Sequence, residues 1–151
     1  MPAYSFSLPE FKTQIPEGKK IRTTRLMKNG KRFDQAKNAM VKGTPASLYW
    51  KQRTKESKLL LRAPIIRVGK VSFVPPSSRL FFYQTDLILD GRKCSSHECE
   101  LYGRQEGFEG TDCANAWEHF LEAVKDLHGH DFWKHEYYTI EWRPNSQVLR
   151  L

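Results

Sequence analysis

The chain has 151 residues, 39% apolar and 13% aromatic, enough for one ordinary core and too few for two comfortable domains. A single domain over residues 1–151 is therefore expected, and no apolar run of about eighteen residues offers a membrane span. The net charge of +8 is uneven: residues 1–70 carry 17 Lys and Arg against 4 Asp and Glu, and residues 71–151 carry 8 against 13, so the first half favours a polyanionic partner, nucleic acid first among them.

The start, MPAYSFSLPEFK, lacks the charged-then-apolar plan of a secretory signal, and Cys94, Cys99 and Cys113 fit no familiar disulfide spacing. The expectation is a cytoplasmic protein with free thiols. Ser7 with Glu10 has the form of a capping box, and Phe11 and Ile15 share a helical face, predicting a short helix that ends before Pro16. Residues 26–42 are basic and poor in large apolar groups, which predicts a mobile or ligand-ordered loop.

From residue 43 the pattern changes to strands: ASLYW, then LLLRAPIIRVGKVSFV broken at Pro64 and Gly69, then RLFFYQTDLILDG ending in an Asp-Gly turn. Several short strands in succession suggest an antiparallel sheet curling into a barrel. Ser95 with Glu98 predicts a capped helix near residues 96–105. A clearer helix follows, capped by Thr111 or Asp112, with Ala116, Trp117, Phe120, Leu121, Val124 and Leu127 at helical spacing and Gly129 closing it. Tyr138, Ile140 and Trp142 alternate with Tyr137, Thr139 and Glu141 in a closing strand before Pro144.

Two short motifs stand out, GKKIRTTR at residues 18–25 and RQEGF at residues 104–108. With FSLPEFKTQIPEGKK, GTPASLYWKQRT, QEGFEGTDCANAWEHF and YTIEW, in that order, they resemble the ASCH domains of the PUA-like superfamily, particularly the small versions encoded by bacteriophages. The resemblance spans about residues 4–143. It implies an α+β fold, a small PUA-like, mostly antiparallel β-barrel with flanking helices, in a bacterial or phage-infected cell.

Some members of that family resemble amidohydrolases that remove the acetyl group from N4-acetylcytidine with a lysine, a threonine and a glutamate. Carried over residue by residue, the resemblance implies Lys20, Thr23 and Glu106 as the catalytic set, with Gly18 and Arg25 matching family positions. Thr24 adjoins Thr23 where the family commonly has an aliphatic residue, and both remain candidates for the nucleophile. Ile21, Thr44 and Lys51 also depart from the common pattern.

The chemistry has its own logic. Cleaving an exocyclic amide needs a nucleophile, a base, a proton donor for the departing amine and a place for the oxyanion. Thr23 as nucleophile, Lys20 as base and Glu106 as proton shuttle meet these needs if Lys20 is neutral, which neighbouring cations and burial favour. Water attacking while Thr23 and Arg25 hold the carbonyl oxygen is the second route, and an ordinary Lys20–Glu106 ion pair is the plain structural one. Arg53 and Thr54, in YWKQRT, match a further landmark, and Trp50 is either a base-stacking platform or core.

The partner class is then a modified nucleoside or RNA. The alternative function is a non-catalytic RNA-binding module, or a ribonuclease, using the basic half through Lys28, Lys31 and Arg32. A phage protein that blocks a host protein through residues 75–100 is a further reading. Cys94, His97 and Cys99 match no common zinc spacing, so no metal is expected, nor any other cofactor. A monomer is the default expectation.

Overall fold

A computed structural model describes residues 2–144. Its strands are β1 (Ala3–Phe6), β2 (Arg22–Leu26), β3 (Ala46–Trp50), β4 (Lys58–Ala63), β5 (Ile65–Phe73), β6 (Leu87–Leu89), β7 (Arg92–Lys93) and β8 (Tyr137–Trp142). The helices are α1 (Phe11–Glu17), α2 (Lys31–Lys42), α3 (Ser96–Gln105) and α4 (Ala116–His128), with short 3-10 turns at Arg79–Gln84 and Phe132–Lys134. The chain is α+β. No helix among the described residues is long and apolar enough to cross a membrane.

The strands form two sheets, ordered β1-β3-β4 and β2-β8-β5-β6-β7, and every pairing is antiparallel except β1 with β3. The expected closed barrel is not what forms. Pro64 breaks the run between β4 and β5, where Arg143 N–H still reaches the Pro64 carbonyl at 2.9 Å, so the sheets meet at that corner. On the opposite side β1 and β2 both remain edge strands.

β8 is buried on both faces because two cores flank it. Tyr138, Ile140 and Trp142 join Tyr4, Phe6, Ile15 and Leu48 on one side, and Tyr137 joins Phe73, Trp117, Phe120 and Phe132 on the other. Each fully buried aliphatic side chain contributes about 1.5–3 kcal/mol here. Trp117 Nε1 also donates to the Thr85 carbonyl at 2.9 Å, so its polar edge is satisfied.

Several local expectations change. Residues 31–42 are a helix, not a loop: Phe33, Ala36 and Ala39 form a narrow apolar stripe whose small residues let α2 lie close on the sheet. α1 starts after Glu10, with no side-chain cap from Ser7, and runs through Pro16 because Gly18 closes it two residues later. The RLFFYQ half of the third strand segment turns as a 3-10 helix, leaving only Leu87–Leu89 extended. The cap of α4 is Asn115, while Thr111 instead bonds within its own turn. The Ser95–Glu98 capping box, the Asp90-Gly91 turn between β6 and β7, and β8 are formed where the pattern places them. β1 was not anticipated; four residues give too short a pattern to read.

Candidate active site

Three chain segments converge on Lys20. The Gln14 carbonyl at the end of α1 accepts the N–H of Lys19 and of Lys20, at 2.9 and 3.1 Å, and Ile21 N–H donates to the Gln105 carbonyl at the end of α3. The Lys20 side chain is 1% exposed. Its ammonium donates to the Glu106 carbonyl at 2.6 Å and to Glu106 Oε1 at 3.2 Å, and lies 4.2 Å from the centre of the Phe11 ring. The Glu106 carbonyl is one of the orphan acceptors at the C-terminus of α3, where a cation is favoured.

Burial pulls the Lys20 pKa down to about 8; Glu106 pulls the other way but does not cancel the desolvation. Roughly a tenth of Lys20 is then neutral at pH 7 and half at pH 8, far more than an exposed lysine offers.

The second Glu106 oxygen, Oε2, accepts from Thr24 Oγ1 at 2.6 Å, and Thr24 Oγ1 lies 2.5 Å from Tyr102 Oη. A hydroxyl has one proton, and Thr24 gives it to the carboxylate, so Tyr102 is the donor to Thr24. Burial, then the charge of Glu106, push the Tyr102 pKa up to about 12, so the phenol keeps the proton it donates. Tyr102 and Glu106 lie one turn apart at the end of α3. Thr23 points to the other face of β2, where its Oγ1 accepts from Arg25 Nε at 3.2 Å.

Gly107 keeps this junction tight. Its φ is +100°, and a Cβ there would fall 2.6 Å from Gln14 Oε1 and 3.0 Å from the Phe11 ring. The glycine of RQEGF is thus required by backbone angle and by space.

A cleft of about 590 Å³ opens above the network, between the edges of β1 and β2. Trp142 N–H donates to the Ile21 carbonyl and Met27 N–H to the Glu136 carbonyl, so the odd-numbered residues of β2 make the ladder to β8. By the alternation of an antiparallel pair, the N–H and C=O of Thr24 and Leu26 face the open side of the strand.

Lys20, Thr23, Thr24, Arg25 and Glu106 line the cleft, with Lys28 and Arg32 also on its wall. Trp50, Arg53, Thr54 and Lys31 are not among its lining. Trp50 is 8% exposed at the end of β3, with the ammonium groups of Lys12 and Lys51 at 5.6 and 5.2 Å from its ring. Arg53 is exposed in a turn at φ +68°, Thr54 Oγ1 bonds the Lys51 carbonyl, and Lys31 is the exposed first residue of α2. The residues that motif reading missed are Tyr102 and Tyr4; the four-residue spacing of Tyr102 to Glu106 was a usable signal, whereas Tyr4 depends on the unrecognised β1.

The fold and cleft define an α+β protein in which a buried lysine and carboxylate and a half-buried hydroxyl are joined in one hydrogen-bonded line. Comparison with family models, with curated proteins and with solved structures finds no match to this chain.

Proposed function

We propose that this protein is an amidohydrolase that removes an acyl group from the N4 amide of a modified cytidine. The observation that carries the reading is the line Lys20–Glu106–Thr24 at the floor of a cleft large enough for a nucleoside. The likeness of GKKIRTTR and RQEGF to the ASCH amidohydrolase motifs supports the same chemistry.

In this mechanism Thr24 Oγ attacks the acyl carbon, and its proton passes through Glu106 to the neutral amine of Lys20. The oxyanion is received by the Thr24 N–H, which faces the open edge of β2. Collapse breaks the C–N bond as the proton returns through Glu106 to N4, leaving an acyl ester on Thr24. Water then attacks that ester with the same relay as base, releasing the carboxylic acid and restoring the hydroxyl. Thr24 takes the nucleophile's role rather than Thr23 because Thr24 is the threonine in contact with Glu106.

The test is a chromatographic turnover assay with N4-acetylcytidine and a panel of N4-acyl cytidines, comparing the parent with Lys20→Ala. Product from the parent alone is expected. No product from the parent across the panel, or equal product from Lys20→Ala, overturns the reading.

A further inference from the structure

Two arginines and a lysine stand on the cleft wall without a carboxylate partner among the described residues. Arg25 donates from NH2 to the Ser5 carbonyl at 2.9 Å, and Arg32 donates to the Ala3 carbonyl. Both guanidiniums lie over the Tyr4 ring, at 5.6 and 5.0 Å from its centre. They are therefore held in place by the edge of β1 rather than by counter-charges. Lys28 follows β2 in a turn at φ +50° and is exposed. The other carboxylate on the cleft wall, Asp126 on α4, forms no ion pair with these three among the described residues.

A second observation marks the same place. Tyr4 is 2% exposed, and its hydroxyl, beside that of Tyr138, closes no hydrogen bond of normal geometry. A buried phenol whose contact to Tyr138 is poorly formed is under-satisfied, and an anionic oxygen that drew the hydroxyl toward the cleft would recover free energy. Two fixed guanidiniums and an O–H donor are the groups that bind phosphate oxygens best.

The spacing fits one nucleotide. Lys20 packs against Phe6, Arg25 bonds Ser5 and Arg32 bonds Ala3, so the cations are strung along β1. From Phe6 to Ala3 is three strand residues, about 10 Å, a span comparable to the length of one mononucleotide. We infer that Arg25, Arg32, Lys28 and the Tyr4 hydroxyl form a phosphate subsite and that the substrate is an N4-acylated nucleotide rather than a nucleoside. The role of the base end rests on the amidohydrolase reading; the subsite does not.

The test is calorimetric binding of cytidine 5′-monophosphate and of cytidine to the full chain at low salt. About a tenfold or larger preference for the monophosphate is expected, falling steeply as salt rises. Arg32→Gln should erase most of that preference while leaving cytidine affinity within about twofold. Because Arg32 also ties α2 to β1, Lys28→Gln is the companion variant: Lys28 is exposed and its loss spares the fold, and it should reduce the preference by about threefold or more. Equal affinity for the two ligands, no binding of the monophosphate, or a preference untouched by both variants overturns the subsite.

A short oligocytidine without a terminal phosphate separates the sources. Tighter binding than the monophosphate, with the same loss in Lys28→Gln, places an RNA-strand phosphate in the subsite; weaker binding makes the free nucleotide its ligand. A clear phosphate preference with no turnover of any N4-acyl compound would retain the subsite and reject the amidohydrolase.

Discussion

Lys20 holds Glu106 at two points, its carboxylate at 3.2 Å and its main-chain carbonyl at 2.6 Å. One ammonium thus caps α3 and orients the carboxylate that meets Thr24. A buried lysine placed only to close the fold would be served by either contact. The two together fix Glu106 so that its free oxygen is aimed at a hydroxyl on the cleft wall.

The lowered Lys20 pKa gives a pH signature. Turnover that needs the neutral amine should rise with pH to a plateau, with an apparent midpoint near 8 in kcat/KM. Stability should follow with a definite sign. The folded value of about 8 lies below the ordinary 10.5, so between those values the unfolded chain holds more protons. The contribution of Lys20 to stability therefore rises across that window and is lost as pH falls through 8. A Lys20→Met variant should flatten both the rate profile and this part of a denaturation series.

The two threonines separate by their partners. Thr24→Val removes the hydroxyl that bonds Glu106 and Tyr102, and should lower kcat/KM by about 10²–10⁴ with little change in KM. Thr23→Val removes a bond to Arg25 and should cost less than about tenfold, mostly in KM. Steady-state kinetics of both variants decide between them, and the reverse ranking would return the nucleophile to Thr23.

α2 tests how much of the basic first half is scaffold. Phe33 is 8% exposed and meets the Tyr138 ring edge-on at 5.9 Å. Phe33→Ala should destabilise the chain by about 3–5 kcal/mol in denaturant unfolding. A loop that orders only on a ligand would show almost no change.

What could be read in advance followed the strength of each local pattern. α3, α4 and β8 carry long or capped patterns, such as Ser95 with Glu98 and the stripe from Trp117 to Val124, so they were legible. α2 was not, because Ala36 and Ala39 do in packing what large residues do elsewhere, and small residues leave a weak periodic signal. The open side between β1 and β2 was also hidden: edge and centre strands share one alternation, and only pairing distinguishes them. At the site, motifs pointed to Lys20 and Glu106, but the choice of Thr24 depends on which face of β2 meets Tyr102, a contact across 78 residues of chain.

Two glycines near the end of α3 should fail in different ways. A Cβ at Gly103 would fall 2.8 Å from the carbonyl carbon and oxygen of Ala116 and from the Trp117 nitrogen, all main-chain atoms of α4. Gly103→Ala must therefore push the helices apart and should cost about 1–3 kcal/mol, read as a lower Tm with kcat preserved below the transition. At Gly107 the added Cβ would crowd the Gln14 side chain, Phe11 and, at 3.3 Å, the Lys20 Cβ, on a backbone at positive φ. Gly107→Ala should lower Tm by a similar amount and also lower kcat by about tenfold or more, because it displaces the residue after Glu106 and so misaligns the proton path. Equal loss of kcat in the two variants at matched fraction folded would mean that the Lys20–Glu106 junction is packing and not catalytic machinery.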